Sequence, residues 1–234
     1  MPKAKRKKIG QFFTSKETAI FMASMFDLSN IAGSVKILDP GAGSGILSAA
    51  IIERLDKVTG INEINLVCYE NNEDVLPVLK DNLKYLSTQT NKNFVYEVKE
   101  TDYLLSQCHD FESDIFAEPN PEKYDIIIGN PPYLRVLKDH PAAQALPKVV
   151  HGAPNLYFLF TSMSLFNLKD DHEMVYIIPR SWTSGAYFKA FREYLLNEGK
   201  LEHIHLFVSR DNAISAYMWK MYGKKTFKMF AVNC

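Results

Sequence analysis

Four consecutive residues, Asn130-Pro131-Pro132-Tyr133, have the types and spacing most suited to chemistry in this 234-residue chain. They follow Tyr124 to Gly129, an apolar, β-branched run that reads as a strand. Proline has no N–H to give to a ladder, so two of them in a row end the strand at this point. The Asn130 side-chain oxygen and the Pro131 carbonyl can then accept two hydrogen bonds from a single NH₂ group. A conjugated NH₂ is a poor nucleophile, and holding it in near-tetrahedral geometry at attack distance supplies much of the catalysis such a nitrogen needs. Tyr133 offers a flat face to a planar group, and stacking of a base on an aromatic ring is worth roughly 1–3 kcal/mol. The plainer alternative is an ordinary proline turn.

A second constellation is Asp39-Pro40-Gly41-Ala42-Gly43-Ser44-Gly45, between a predicted strand at Val35 to Leu38 and a predicted helix at Ile46 to Leu55. In an open parallel sheet the ligand crevice lies beyond the carboxyl ends of the strands, where Asp39, Glu70 and Asp102 are expected to project. A dinucleotide needs backbone amides free for its pyrophosphate and a ribose-binding acid about 20 residues on. Here that spacing is longer, and the carboxylate of Asp39 beside the loop suits an ammonium better than a phosphate. S-adenosylmethionine has that ammonium and a cationic sulfonium. The expected cofactor set is therefore Asp39, Pro40, Gly41, Ala42, Gly43 and Gly45 around the loop. Glu70 with Asn71 would meet the ribose hydroxyls, and Asp102 with Tyr103 the exocyclic amine of the cofactor adenine. The plainer alternative is a set of solvated turn acids. Methylation of an amine held by Asn130 needs no base or metal, whereas attack through cytosine carbon 5 needs a thiolate. Cys68 lies in a predicted strand, and neither Cys108 nor Cys234 belongs to a strand-end loop.

The elements that must position these groups alternate along the chain. Thr14 and Glu17 form a capping box before an amphipathic helix over 15–28. Further strands are expected at Ile64 to Glu70, Phe94 to Val98, Met174 to Ile178 and Leu201 to Val208. Helices are expected at Val75 to Leu86, Asn155 to Leu168 and Ala186 to Leu196. The fold class is α/β, a Rossmann-like layout with a mostly parallel sheet and helices on both faces. At 47% hydrophobic and 23% charged residues, the chain can bury one sizeable core. Its formal charge is zero, yet Lys3, Lys5, Arg6, Lys7 and Lys8 crowd one end, while Glu97 to Asp125 hold nine acids against two lysines. Three cysteines without ligand spacing argue against a disulfide framework or a zinc site and fit a reducing cytoplasm. No signal peptide or membrane span is expected. Ile214 to Cys234 has no period of 2 or 3.6 and is not assigned an element.

Taken together, the chain resembles the catalytic domain of the gamma-type adenine-N6 DNA methyltransferases of restriction–modification systems. The resemblance spans residues 9 to 213. Gly10-Gln11-Phe12-Phe13-Thr14 is similar to the family's cofactor motif, and its order before the glycine loop and the Asn130 to Tyr133 loop is the gamma order. The resemblance implies that Thr14 meets the methionine carboxylate of S-adenosylmethionine and that Phe12 or Phe13 closes the pocket. It places Phe207, like Tyr133, against the flipped base. Asn155-Leu156-Tyr157-Phe158 and Ile177-Ile178-Pro179 resemble family segments after the catalytic loop. The implied organisation is a basic arm and cofactor motif over 1–14, a catalytic domain over 15–213 and an atypical tail over 214–234. Neither the family's seventh, antiparallel strand nor its target-recognition domain is evident after Asp211, as if the chain were truncated. DNA is the implied partner, held through phosphates by Lys138, Lys148 and the basic arm, with a specificity subunit or restriction endonuclease alongside. The Asn-Pro-Pro-Tyr loop also occurs in enzymes that methylate a protein glutamine or a guanine of ribosomal RNA. An inactive or partner-dependent DNA-binding remnant is a further alternative.

Overall fold

Strands with near-continuous apolar runs need cover on both faces, and a computed structural model of the chain provides it. The structure describes residues 14–111, 121–150, 152, 154–207, 213–218 and 225–232. Its strands are β1 (Gly33–Asp39), β2 (Ile61–Tyr69), β3 (Asn93–Lys99), β4 (Tyr124–Gly129), β5 (Leu168–Pro179), β6 (Gly199–Phe207), β7 (Ala213–Met218) and β8 (Lys225–Val232). Its helices are α1 (Lys16–Ser24), α2 (Ile46–Leu55), α3 (Leu76–Ser87), α4 (Tyr103–Phe111), α5 (Pro141–Gln144), α6 (Leu156–Asn167) and α7 (Lys189–Glu198). Among the described residues the strands form one eight-stranded sheet in the order β3-β2-β1-β4-β5-β8-β6-β7. Every pairing in it is parallel except that of β6 with β7.

The period of two divides each strand between two cores. Val35 and Ile37 of β1, Ile64 and Leu66 of β2, and Ile126 and Ile128 of β4 pack with α1, α2 and α3 on one face. Leu38, Val67 and Ile127 point the other way, toward α4, α6 and α7. Each fully buried aliphatic side chain contributes about 1.5–3 kcal/mol over leaving it in water. The chain lays down β1, β2 and β3 outward in one direction and then returns to place β4 on the other side of β1. That reversal opens a crevice at the carboxyl ends of β1 and β4, and both candidate loops leave the sheet there.

The structure departs from the sequence expectation in several places, of which three bear on how the sheet and the site are built. The cap of α1 is Ser15, whose side chain accepts from the Thr18 amide, so the helix starts one residue later than a Thr14 cap predicts. Helix α4, which the sequence reading did not assign, begins where the Asp102 carboxylate accepts from the Leu105 amide at 3.0 Å. The unassigned tail contributes an antiparallel strand after all. Ala213–Met218 pairs with β6 on the outer edge, while Lys225–Val232 runs parallel between β5 and β6. Lys228, 7% exposed, fixes β8 to its surroundings through Glu173 at 2.7 Å and the Met25 carbonyl at 2.6 Å. Among the described residues no helix is long and apolar enough to cross a membrane.

Candidate cofactor and amine site

The glycine loop is tied down from three directions. The Ala42 amide donates to the Tyr69 carbonyl at 3.0 Å, and the Gly45 amide to the Ala42 carbonyl at 2.8 Å. The Gly43 amide donates to Glu70 Oε2 at 2.9 Å. Gly45 starts α2 in the left-handed conformation with φ of 81°, where a side chain is strained and a Cβ would stand 3.0 Å from Leu79. Tight turning at Gly43 and Gly45 therefore brings the backbone from Pro40 to Ala42 across the top of the sheet.

A cavity of about 400 Å³ lies at this end, within the usual size of small-molecule sites. Pro40, Gly41, Glu70, Asn71, Asp102 and Tyr103 line it, and so do Asn130 and Pro132 from the proline loop. The two constellations, 90 residues apart between Pro40 and Asn130 in sequence, thus share one wall-to-wall space. Sequence reasoning missed Tyr69, Asn72, Thr101, Leu156 and Phe160 of the lining. Phe160 stands four residues beyond Leu156 on α6, the helical spacing that marks a shared face, and that spacing was the available signal.

Glu70 is 8% exposed, and its carboxylate accepts from the Gly43 amide and, at 2.8 Å, from the Asn72 amide. Burial pushes its pKa up, and these amides pull the other way. Its orientation is accordingly set by backbone before any ligand arrives. Asp102 lines the same cavity while capping α4. Tyr103 presents its ring, but its hydroxyl turns into the core and donates to Asn167 Oδ1 at 2.8 Å.

Asp39 does not reach the cavity. It is fully buried beneath the loop, where Oδ2 accepts from Ser48 Oγ at 2.7 Å. Burial pushes its pKa up to about 7, with the Ser48 hydrogen bond opposing and the charge of Glu70 adding to the rise. The expected projection of Asp39 into the crevice is corrected on this point: the strand's last side chain points into the sheet-facing core, and the loop backbone lies above it. Cys68 sits beside it, 3.6 Å from Ser48 Oγ, with its thiol pKa raised by burial. A thiol held protonated and buried is no nucleophile.

In the proline loop, Asn130 donates from Nδ2 to Thr14 Oγ1 at 2.9 Å. Pro131 is buried, and Tyr133 donates its hydroxyl to the Ile177 carbonyl at 2.9 Å. The Tyr133 ring stands edge-on to Tyr157, with centroids 6.3 Å apart. Gly129 precedes the loop because Tyr176 crosses behind it, and a Cβ there would lie 2.7 Å from the ring. Phe13, like Phe12 and the basic arm, lies outside the described residues. For Phe207 the described part is backbone, which ends β6 opposite Ala213. Lys138 and Lys148 are exposed on the side of the chain that follows the proline loop.

Residues 52–213 match the family described as Eco57I restriction-modification methylase. The type II methyltransferase M.PstI of Providencia stuartii is 34% identical over 215 residues, covering 90% of this chain and 41% of the relative. The type II methyltransferase M.BsuBI of Bacillus subtilis is 33% identical over 212 residues, covering 89% of this chain and 41% of the relative. The chain thus spans about two fifths of the length of these curated relatives. Among solved structures, the methyltransferase subunit of a type I restriction-modification system from Streptococcus thermophilus superposes with a TM-score of 0.62 at 19% identity. It covers 89% of this chain and 44% of that one. At that identity the likeness shows a shared Rossmann-like methyltransferase fold.

Proposed function

Because the chain belongs to the Eco57I restriction-modification methylase family, we propose that its cavity holds S-adenosylmethionine and that the Asn130 to Tyr133 loop directs methyl transfer to adenine N6 in DNA. The observation that carries this reading is the single cavity lined both by Glu70 and Asp102 and by Asn130 and Pro132. The donor set fits the cofactor: a carboxylate oriented by amides for ribose hydroxyls, a second acid for an amine, and aromatic walls from Tyr103 and Phe160. When bound, the cofactor supplies an electrophilic methyl on a sulfonium.

The protein's own part is to bind and orient the amine. With Nδ2 donating to Thr14, the Asn130 amide is oriented so that its oxygen serves as the acceptor for an N6 hydrogen. The Pro131 carbonyl takes the second hydrogen, and the nitrogen lone pair is turned toward the methyl. Burial of Pro131 and the anchoring of Tyr133 to Ile177 keep this loop from yielding as the amine approaches. Lys138 and Lys148 serve the phosphates, and a specificity subunit or a restriction endonuclease is the expected companion in the cytoplasm. Membership of a restriction-modification methylase family favours DNA over a protein glutamine or ribosomal guanine.

The test is Asn130→Ala. Calorimetric binding of S-adenosylmethionine stays near the parent value, while methyl transfer to DNA falls by at least about 100-fold, the loss typical of removing one oriented electrostatic partner of a transition state. A variant with near-normal rates removes Asn130 from the mechanism.

A further inference from the structure

The proline loop continues into Leu134-Arg135-Val136-Leu137-Lys138, and these residues behave differently from an ordinary surface loop. Val136 is buried at 8% exposure, whereas Leu137 at 75% is the most exposed large apolar side chain among the described residues. Backbone hydrogen bonds hold the segment on both sides of Leu137. Arg135 bridges to Asn155, the Val136 amide donates to the Pro154 carbonyl at 2.9 Å, and the Leu156 amide donates to the Leu134 carbonyl at 2.9 Å. Just beyond, the His140 amide donates to the Leu137 carbonyl at 3.1 Å. A leucine on fixed backbone is thus presented to solvent four residues after Tyr133.

A single exposed leucine is common on protein surfaces, so its surroundings decide the matter. Leu137 borders an open groove of about 680 Å³ whose lining includes Arg135, Val136, Lys138, Gly152 and Tyr187. Tyr187, itself 60% exposed, forms the opposite wall and packs so closely on Gly152 that a Cβ there would overlap its ring. An apolar tip between two cations, across from an aromatic wall, is the arrangement by which proteins enter a base step while holding its phosphates. The groove is also continuous in sequence with the loop that would receive an extruded base.

We propose that Leu137 is the wedge that enters the duplex where the target adenine leaves the stack, with Arg135 and Lys138 on the flanking phosphates. This inference rests on the DNA reading above. Extrusion of a paired base is opposed by lost pairing and stacking, and it is easiest where the base is already unpaired. Leu137 therefore matters only while the target is paired.

The experiment compares two oligonucleotide duplexes carrying the site found by mapping methylated positions in mixed-sequence DNA. In one, the target adenine faces thymine; in the other it faces an abasic position. Leu137→Ala lowers kcat/KM about tenfold or more on the paired duplex and stays within about twofold of the parent on the abasic one. Arg135→Gln and Lys138→Gln weaken both duplexes alike and each reduce the salt dependence of binding by about one ion. Equal loss on both duplexes for Leu137→Ala, or no loss on either, overturns the wedge while leaving the DNA reading standing. A parent protein that methylates no DNA overturns both.

Discussion

Asn130 and Thr14, 116 residues apart, are joined by a 2.9 Å hydrogen bond from the amide Nδ2 to the hydroxyl Oγ1. The bond links the segment ahead of α1 to the loop that leaves β4, and it decides which end of the Asn130 amide faces onward as acceptor. It also explains why α1 is capped by Ser15: Thr14 is committed elsewhere. Removing this acceptor allows the Asn130 amide to rotate. Thr14→Val is expected to lower the methyl-transfer rate about 3–10-fold, the worth of one neutral hydrogen bond, while Thr14→Ser keeps it. Parallel kcat and KM measurements check this, and equal losses in the serine and valine variants contradict it.

Gly129 and Tyr176 make a second close pairing. Tyr176 is fully buried, with its hydroxyl 2.5 Å from Ser164 Oγ, and it leaves no room for a Cβ on the residue preceding Asn130. Gly129→Ala is expected to destabilise by about 1–3 kcal/mol through overpacking. Thermal unfolding then shifts down by roughly 2–4 °C for each of those kcal/mol in a chain of this size. An unchanged Tm shows that the ring yields and that β4 does not fix the loop through this contact.

Asp39 makes stability depend on pH in an unusual direction. An acid whose native pKa is raised keeps a proton that the unfolded chain has lost between about 3.9 and about 7. Its contribution is therefore greatest below about pH 4 and declines as pH rises toward about 7. Glu70 and Cys68 are the titratable neighbours, and Ser48 supplies the opposing hydrogen bond. Asp39→Asn removes the decline, so its stability relative to the parent rises with pH across that window, by at most about 1.4 kcal/mol per pH unit. Denaturant unfolding at pH 5, 6, 7 and 8 measures the difference, and a difference independent of pH contradicts a buried, protonated Asp39.

How far the sequence speaks for the structure differs by element. Ile46–Leu55 and Tyr124–Gly129 were legible to the residue, because glycine turns or prolines bound apolar runs with a clear period. The shared cavity was legible too, since strand-end acids and loops in a parallel sheet must meet at one end. Helix α4 was not, because Asp102 both lines the cavity and caps the helix, and a strand-end acid points to the first role without revealing the second. The tail was not, because β7 and β8 are defined by which strands they join, and a pairing partner leaves no period in the sequence. The burial of Asp39 was also hidden: a strand-end residue projects up or into the core according to where the following loop folds, and Gly43 and Gly45 fold it over the top.

The measurement that bears most directly on the account is transfer of labelled methyl from S-adenosylmethionine to mixed-sequence duplex DNA, followed by digestion and nucleoside analysis. Methyl transfer to adenine N6, as proposed, puts the label in N6-methyladenine. Label in N4-methylcytosine, in 5-methylcytosine or in no nucleoside at all contradicts it.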